Sequence, residues 1–206
     1  KSLKDLIAPA GVDASNINHL EIISNKTRYA RSMVVSTIPR MCTFPEFLRS
    51  MYTFGDLNTS VFISPVSEST SQNALNRTIN EIESERVVAQ HRGNINRERL
   101  LAQKRIEAED LRDEIAAGFN KLFETTIVCT LFAYSLDELD KNTELLSTEM
   151  SKTLVGIKPA SAIQEQAFKT NMPYGENKIK KSHTFDRSSM ATVFPFFSSE
   201  IGHQKG

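Results

Sequence analysis

Residues 125–134 have the sequence TTIVCTLFAY. It places β-branched and aromatic residues at both odd and even positions, which is the composition of a strand buried on both faces. We therefore predict a central strand here. Other elements are then assigned on either side of this strand by their apolar spacing and by their turn and capping residues.

The region that precedes this strand predicts further strands and one short helix. Residues 20–23 and 33–38 are typical of a pair of strands, and residues 59–63 of a third one. The segment 43–46 has the spacing of a capping box, with a proline in the first turn. A short helix is therefore expected to start there and to run to Gly55.

Residues 67–122 have a different character, with no proline and with apolar residues at helical spacing among many charges. Gly93 and Asn94, flanked by polar residues, are the natural bend between two antiparallel arms. The sequence therefore predicts a long helical hairpin over about 68–122. Its second arm carries an apolar residue every seven positions: Leu101, Ala108, Ile115 and Leu122.

After the central strand, Ser135 and Glu138 have the spacing of a second capping box. The helix that they open should place four apolar side chains on one face: Leu139, Leu146, Met150 and Leu154. Residues 155–157 predict a short strand. We expect Ser161 and Gln164 to cap a further helix that ends before Pro173.

The last part of the chain is more polar. Residues 174–189 are rich in lysine and are predicted to be loop or linker, whereas residues 192–197 are typical of an apolar strand that runs into a turn. The chain also lacks an initiator methionine. We therefore expect it to be a piece of a longer protein, with 1–172 as one α+β domain and 173–206 as a linker and the start of the next domain.

Read in order from Met33, the predicted elements are β-α-β, a helical hairpin and β-α-β. This is the order of a split βαβ, ferredoxin-like sandwich in the α+β class, with the hairpin inserted between its two halves. Its helices are expected to cover one face of the sheet.

Composition excludes several classes of protein. Lysine and arginine number 25, and aspartate and glutamate also 25, so no global charge favours nucleic acid or acidic lipid. The two cysteines, Cys42 and Cys129, are far apart and have no histidine at metal-ligand spacing, so no disulfide framework or zinc site is indicated. The apolar runs are too short to cross a bilayer, and we expect a cytoplasmic protein.

No catalytic motif is present. The eight glycines include none in a phosphate-binding G-x-x-x-x-G-K-[ST] loop, and the four histidines are isolated among polar residues. The acidic residues between 107 and 114 suit the solvated face of a helix. We therefore expect no catalytic residue, no metal and no bound cofactor in this chain, and no ATP hydrolysis by it.

One charge cluster exceeds what a solvated helix end requires. Six basic residues surround the predicted bend, with only Glu98 opposing them: Arg86, Arg92, Arg97, Arg99, Lys104 and Arg105. In an antiparallel hairpin they gather at one tip, where they are suited to contact phosphates of nucleic acid or anionic lipid headgroups. The alternative is a tip that is merely solvated.

Several segments together resemble the amino-terminal region of the large ATPases of conjugative type IV secretion systems, the CagE/TrbE/VirB family, which includes TraE-like proteins. The resemblance rests on the order and spacing of these segments, which cover nearly the whole chain. They are YARSMVVSTIP at 29–39, FL at 47–48, VFISP at 61–65, SLDEL at 135–139, NMP at 171–173 and RSSMATVFPF at 187–196.

The resemblance implies a non-catalytic domain that docks a secretion motor on membrane channel subunits and aids its assembly. It also implies a position at the inner face of the cell membrane, contacts with the protein's own ATPase domain, and an Mg-ATP site beyond residue 206. Homo-oligomerisation is left open. No catalytic residue of the family transfers to this chain.

Two other interpretations remain at this point. One is a nucleic-acid-binding module that acts through the basic hairpin tip, although the cluster has no interleaved aromatic residues that would stack on bases. The other is a small independent enzyme of ferredoxin-like fold, which would need an enclosed polar pocket.

Overall fold

The computed structural model describes residues 9–39 and 47–194. The chain is a mixed α+β protein that divides into two compact units. Among the described residues, the first unit comprises 9–39, 47–63, 125–183 and 188–194, and the second comprises 64–124 and 184–187. The segment 64–124 contains a pair of helices, in the region where a hairpin was expected at about 68–122.

In the described part of the chain seven strands form one sheet, in which the order β1-β2-β3-β5-β4 gives the main path, while β6 pairs with β3 and β7 with β5. The strands are β1 (Gly11–Asp13), β2 (Leu20–Ile23), β3 (Arg28–Thr37), β4 (Leu57–Pro65), β5 (Phe123–Ala133), β6 (Gly156–Pro159) and β7 (His183–Phe185). The pairs β1–β2, β2–β3, β3–β5 and β3–β6 are antiparallel.

Six helices are described. They are α1 (Arg49–Tyr52), α2 (Glu68–His91), α3 (Ile95–Ala116), α4 (Leu136–Lys152), α5 (Gln164–Asn171) and α6 (Arg187–Ala191). The predicted capping box at 43–46 lies outside the described residues. From residue 47 onward, the helix expected after it is present as the single turn α1.

The strand predicted at 125–134 is confirmed as β5, whose residues 125–131 are all buried. It lies beside β3, with Tyr29 opposite Ala133 and Val34 opposite Val128. Since both strands alternate between two apolar faces, each face of the sheet needs a cover.

Helices cover both faces of this sheet, and the expectation of one covered face is wrong. The helix α5 packs through Ala167 and Phe168 on the face that carries Ala30 and Val34. On the opposite face Arg31 reaches α4, where its Nη1 lies 2.8 Å from the Asp140 carboxylate. The reason is the apolar content of β3 and β5 on their second face, which a single helical layer would leave in water.

The other edge of β3 is shared by two short strands, and a gap remains between them. β2 pairs with residues 28–30 and β6 with residues 33–37. The side chain of Gln164 fills this gap: the Ser32 N–H donates to its Oε1 at 2.8 Å, and its Nε2 donates to the Ser32 carbonyl at 3.0 Å. Gln164 is buried, so its carboxamide takes the place of a missing strand.

This role explains why the expected cap of α5 is wrong. The N-cap residue is Ile163, which makes no side-chain capping bond. Gln164 is engaged with β3, and the Ser161 hydroxyl donates to Asn18 Oδ1 at 2.8 Å instead of capping the helix. The predicted end of this helix before Pro173 is confirmed, since α5 ends at Asn171.

Replacing Gln164 by alanine should lower the free energy of unfolding by about 2–3 kcal/mol, because the Ser32 N–H stays buried without an acceptor. Urea unfolding would measure the change. The matched control is Gln166→Ala on the same helix, where the side chain is exposed and the expected change is under about 0.5 kcal/mol. Equal effects of the two substitutions would contradict this role of Gln164.

The helix α4 begins as predicted. The Ser135 hydroxyl accepts from the Glu138 N–H at 3.2 Å, and the Glu138 carboxylate accepts from the Tyr134 N–H at 3.0 Å. Leu139, Leu146 and Met150 are fully buried, as expected for one apolar face.

Leu154 was expected on that face but lies beyond the helix and is 75% exposed. Its backbone has φ of 59°, and the N–H groups of Leu154 and Val155 donate to the carbonyls of Ser151 and Met150. This left-handed turn closes the helix in a Schellman geometry that normally carries glycine. The expectation failed because helical spacing was extended past the point where α4 ends.

Leu154→Gly should therefore raise the free energy of unfolding by about 0.5–1 kcal/mol, since glycine adopts a positive φ without steric cost and no buried contact is lost. Leu154→Ala is the matched control, because alanine keeps the Cβ that causes the strain. Thermal unfolding of both variants would check this. A gain from alanine equal to that from glycine would show that exposure, not backbone strain, is responsible.

The segment 174–189 is not simply loop. It contains β7 and the start of α6, and it buries Ile179 and Phe185. Its buried apolar residues are widely spaced among lysines, so they give no periodic pattern from which a strand or helix could be predicted. The strand expected at 192–197 is absent at 192–194, where a turn follows α6, and its remaining residues lie outside those described.

Candidate functional site

The helical hairpin of the second unit is built by three local signals. Ser67 caps α2 by accepting from the Thr70 N–H at 3.2 Å, and Asn94 caps α3 by accepting from the Arg97 N–H at 3.1 Å. Gly93 lies between the helices with φ of 67°. The predicted bend is thus confirmed, because only glycine adopts this conformation without strain.

The seam between α2 and α3 is narrow. Its fully buried apolar residues are Ile79, Ala89, Leu101 and Ile115. Ala108 is half-buried, and Leu122 lies beyond the end of α3, so the seven-residue repeat describes the seam only in part. A seam of this size buries little apolar area, which leaves charged residues as a large part of the contact between the helices.

Three of the six predicted cations are engaged in ion pairs along this seam. Arg86 and Arg105 both bind Glu83, at 2.8 and 3.0 Å, and Arg105 also binds Glu109 at 3.0 Å. Arg97 binds Glu85 at 3.1 Å across the two helices. The charges of Arg86, Arg97 and Arg105 are therefore opposed by carboxylates within the hairpin itself.

The other three cations have no such partner. No carboxylate in residues 9–39 or 47–194 forms an ion pair with Arg92, Arg99 or Lys104. Arg92 and Arg99 are exposed, and Lys104 is half-buried. The basic cluster predicted from sequence is thus reduced to these three residues, which we call the free tip cations.

The sequence reading recognised only Glu98 as an opposing acid, and it missed Glu83, Glu85 and Glu109. Two of the pairs follow helical spacing, since Arg86 is three residues after Glu83 and Glu109 four residues after Arg105. That spacing could have identified them. The pair between Glu85 and Arg97 needs the register of the two helices, which the sequence does not give.

A shallow groove of about 320 Å³ lies beside the bend. Val88 and Ala89 form its apolar part, while Arg92, Arg97 and Glu85 supply its charges. Arg92 is the cation of this groove that has no ion-pair partner among the described residues. The groove therefore joins a free positive charge to an apolar surface.

Apolar side chains are also exposed around the bend. Val88 is 48% exposed, Ile95 61% and Leu100 53%. Single exposed apolar residues are ordinary, but several near one another and beside unpaired cations are typical of an interaction surface. Sequence analysis did not identify these three residues, because none of them belongs to the seven-residue apolar repeat of the second arm.

Three further observations concern metal ligands, the buried cysteine and helix hydropathy in the described residues. Within the described ranges no group of three or more metal-ligating side chains comes together. Burial raises the pKa of the Cys129 thiol to about 12, which makes it a poor nucleophile. None of the described helices has both the length and the hydropathy of a transmembrane segment.

No protein-family model matches this sequence, and a search of curated proteins finds no similar one.

Glu83 connects two arginines, and its protonation should loosen the hairpin. The hydrogen bonds from Arg86 and then Arg105 lower the pKa of Glu83 from 4.5 to about 2. Because the folded pKa is the lower one, the stabilisation is complete above pH 4.5 and is lost as the pH falls toward 2. Carboxyl NMR titration and helicity by circular dichroism would follow both events.

Glu83→Gln should weaken the hairpin at neutral pH and remove this acid-dependent component. Glu81→Gln is the control, since Glu81 is exposed and forms no ion pair among the described residues. A titration midpoint of Glu83 near 4.5 would contradict the ion pairs described above.

Proposed function

We propose that this chain is the non-catalytic amino-terminal domain of a type IV secretion ATPase, and that it docks the motor on membrane channel subunits and aids assembly. In this proposal the domain is cytoplasmic and lies peripherally at the inner face of the cell membrane. Residues 173–206 lead toward the protein's own ATPase domain. Mg-ATP would bind in that following domain, beyond residue 206.

The observation that carries the docking role is the composition of the hairpin tip. Arg92, Arg99 and Lys104 have no ion-pair partner in the described part of the chain, and exposed Val88 and Ile95 lie close to them in sequence on either side of the bend. Protein interfaces combine apolar anchors with arginine in this way. A partner with acidic and apolar residues would satisfy both features.

The sheet supports the finer fold assignment, a ferredoxin-like split βαβ. Four of its strands lie in the order β6, β3, β5, β4, and β3 is antiparallel to both β5 and β6. This is the strand order that a split βαβ unit requires. The additional strands β1, β2 and β7 and the second helical layer of α5 are then elaborations of that unit.

A nucleic-acid-binding module is the second candidate, favoured by the same free tip cations. Three unpaired cations are few for this role, because affinity for DNA grows with the number of phosphates neutralised. Arg86, Arg97 and Arg105 would first have to leave Glu83 and Glu85. We therefore rank protein docking above it.

The proposal can be tested by reversing the free tip cations. The triple variant Arg92→Glu, Arg99→Glu and Lys104→Glu should reduce binding of the 206-residue chain to the detergent-solubilised channel subunits of its own system by about tenfold or more. Co-purification followed by a titration would measure this.

The control reverses three exposed cations elsewhere, Arg77, Lys141 and Lys158, with the same change in net charge. Its binding to the channel subunits should be unchanged. Strong DNA binding that falls steeply with salt and is lost only in the tip variant would favour the nucleic-acid module instead. ATP hydrolysis by the purified chain would contradict both.

A further inference from the structure

The helix α3 has an outer face on the side away from its seam with α2. Leu101 and Ile115 lie in the seam and are buried. Arg99, Ile106 and Asp110 are related by seven and four positions, so at 3.6 residues per turn they lie on the side opposite Leu101. All three are exposed, Ile106 by 51%. This outer face therefore presents a cation, an apolar side chain and an acid in a row.

The charge of Arg99 is not opposed within the hairpin. Arg99 forms no ion pair with any residue in the described part of the chain. Side chains three or four positions away on a helix are the ones that can reach it. Here none of them is acidic: they are Ile95, Asn96, Ala102 and Gln103. A carboxylate that binds Arg99 has to come from outside this helix.

Asp110 lies among like charges. Three of its helical neighbours at three and four positions are also acids: Glu107, Asp113 and Glu114. These acids accept hydrogen bonds from side chains of their own segment, in the same order Gln103, Arg112 and Asn120. Asp110 has no ion pair or side-chain hydrogen bond with any other described residue. A cation from outside the helix would relieve the repulsion at Asp110.

We propose that α3 pairs antiparallel with α3 of a second copy of this chain, about a two-fold axis that crosses the helix between positions 104 and 105. Arg99 of each copy then lies opposite Asp110 of the other, because these two residues are equally far from the axis. Ile106 lies close to the axis, next to its own counterpart. Two ion pairs thus flank an apolar centre.

The order of charges along α3 selects a second copy as the occupant. Nucleic acid or an anionic membrane would neutralise Arg99 but would repel Asp110 on the same face, and a basic partner would do the reverse. The occupant has to be a helix that presents an acid and a cation about 16 Å apart in the opposite order. A second α3, turned by a two-fold axis, meets this requirement at both ends of the contact.

This pairing goes beyond the proposed role in secretion and occupies only one of the free tip cations. Lys104 lies five positions after Arg99, about 140° around the helix. Arg92 lines the groove beside the bend. Self-association is measured on the purified chain without channel subunits, so failure of one proposal does not imply failure of the other.

Sedimentation equilibrium of the 206-residue chain should show a monomer–dimer equilibrium. Its dissociation constant should be on the order of 100 μM, because one helix from each copy gives a small interface. Arg99→Glu and Asp110→Arg should each raise this constant about tenfold or more, since each places like charges opposite one another in both contacts.

Arg77→Glu is the matched control. Arg77 lies on α2, is exposed and forms no ion pair with another described residue, so its reversal should leave the dissociation constant unchanged. Circular dichroism would verify that each variant keeps the helicity of the unmodified chain.

A mixture of the two α3 variants gives the sharpest test. In a heterodimer of Arg99→Glu with Asp110→Arg, both contacts join opposite charges, so the equimolar mixture should associate within about threefold of the unmodified constant. The double variant should associate with itself equally well. An unmodified chain that stays monomeric up to about 1 mM would overturn the proposal. So would a dimer that neither substitution weakens, or a mixture that remains monomeric.

Discussion

The central strand β3 has a longer edge than its neighbours cover, and the carboxamide of Gln164 closes the gap. This contact fixes more than one strand, because the buried Ser32 hydroxyl also lies 2.9 Å from that of Thr130 on β5. Asn171, at the other end of α5, donates to Thr130 and to the Asn58 carbonyl of β4. One short helix thereby holds three strands in register through polar contacts beneath an apolar layer, an arrangement in which each buried polar group needs its partner.

Those contacts mark the limit of what the sequence could predict for the fold. The central strand, the hairpin bend at Gly93 and the cap at Ser135 follow from local rules, since each depends on residues within a few positions of one another. Gln164 failed the same rule because its side chain serves a strand 132 residues away in sequence. A long-range hydrogen bond of this kind overrides a local capping pattern, and a single sequence gives no pattern from which it could be predicted.

The hairpin tip also combines a feature that local sequence predicts with one that depends on long-range contacts. Its position was predictable, because basic residues on both sides of a bend must come together in an antiparallel pair. The pairing of Arg97 was not, because the register of the helices decides whether Glu85 meets it. The narrow apolar seam explains why so many carboxylates lie there: with Ile79, Ala89, Leu101 and Ile115 as its buried apolar residues, ion pairs between the arms supply specificity that packing does not.

The hairpin enters and leaves its unit at one point, where the Val66 N–H donates to the Leu122 carbonyl at 2.9 Å. Because these two residues already meet, the 55 positions between them close a loop whose entropy hardly depends on their number. The arms are thus free to grow or shrink by whole helical turns over evolutionary time. Proteins that share this sheet can accordingly have hairpins of very different length. An engineer could also replace the two helices by a tight turn or by a foreign module.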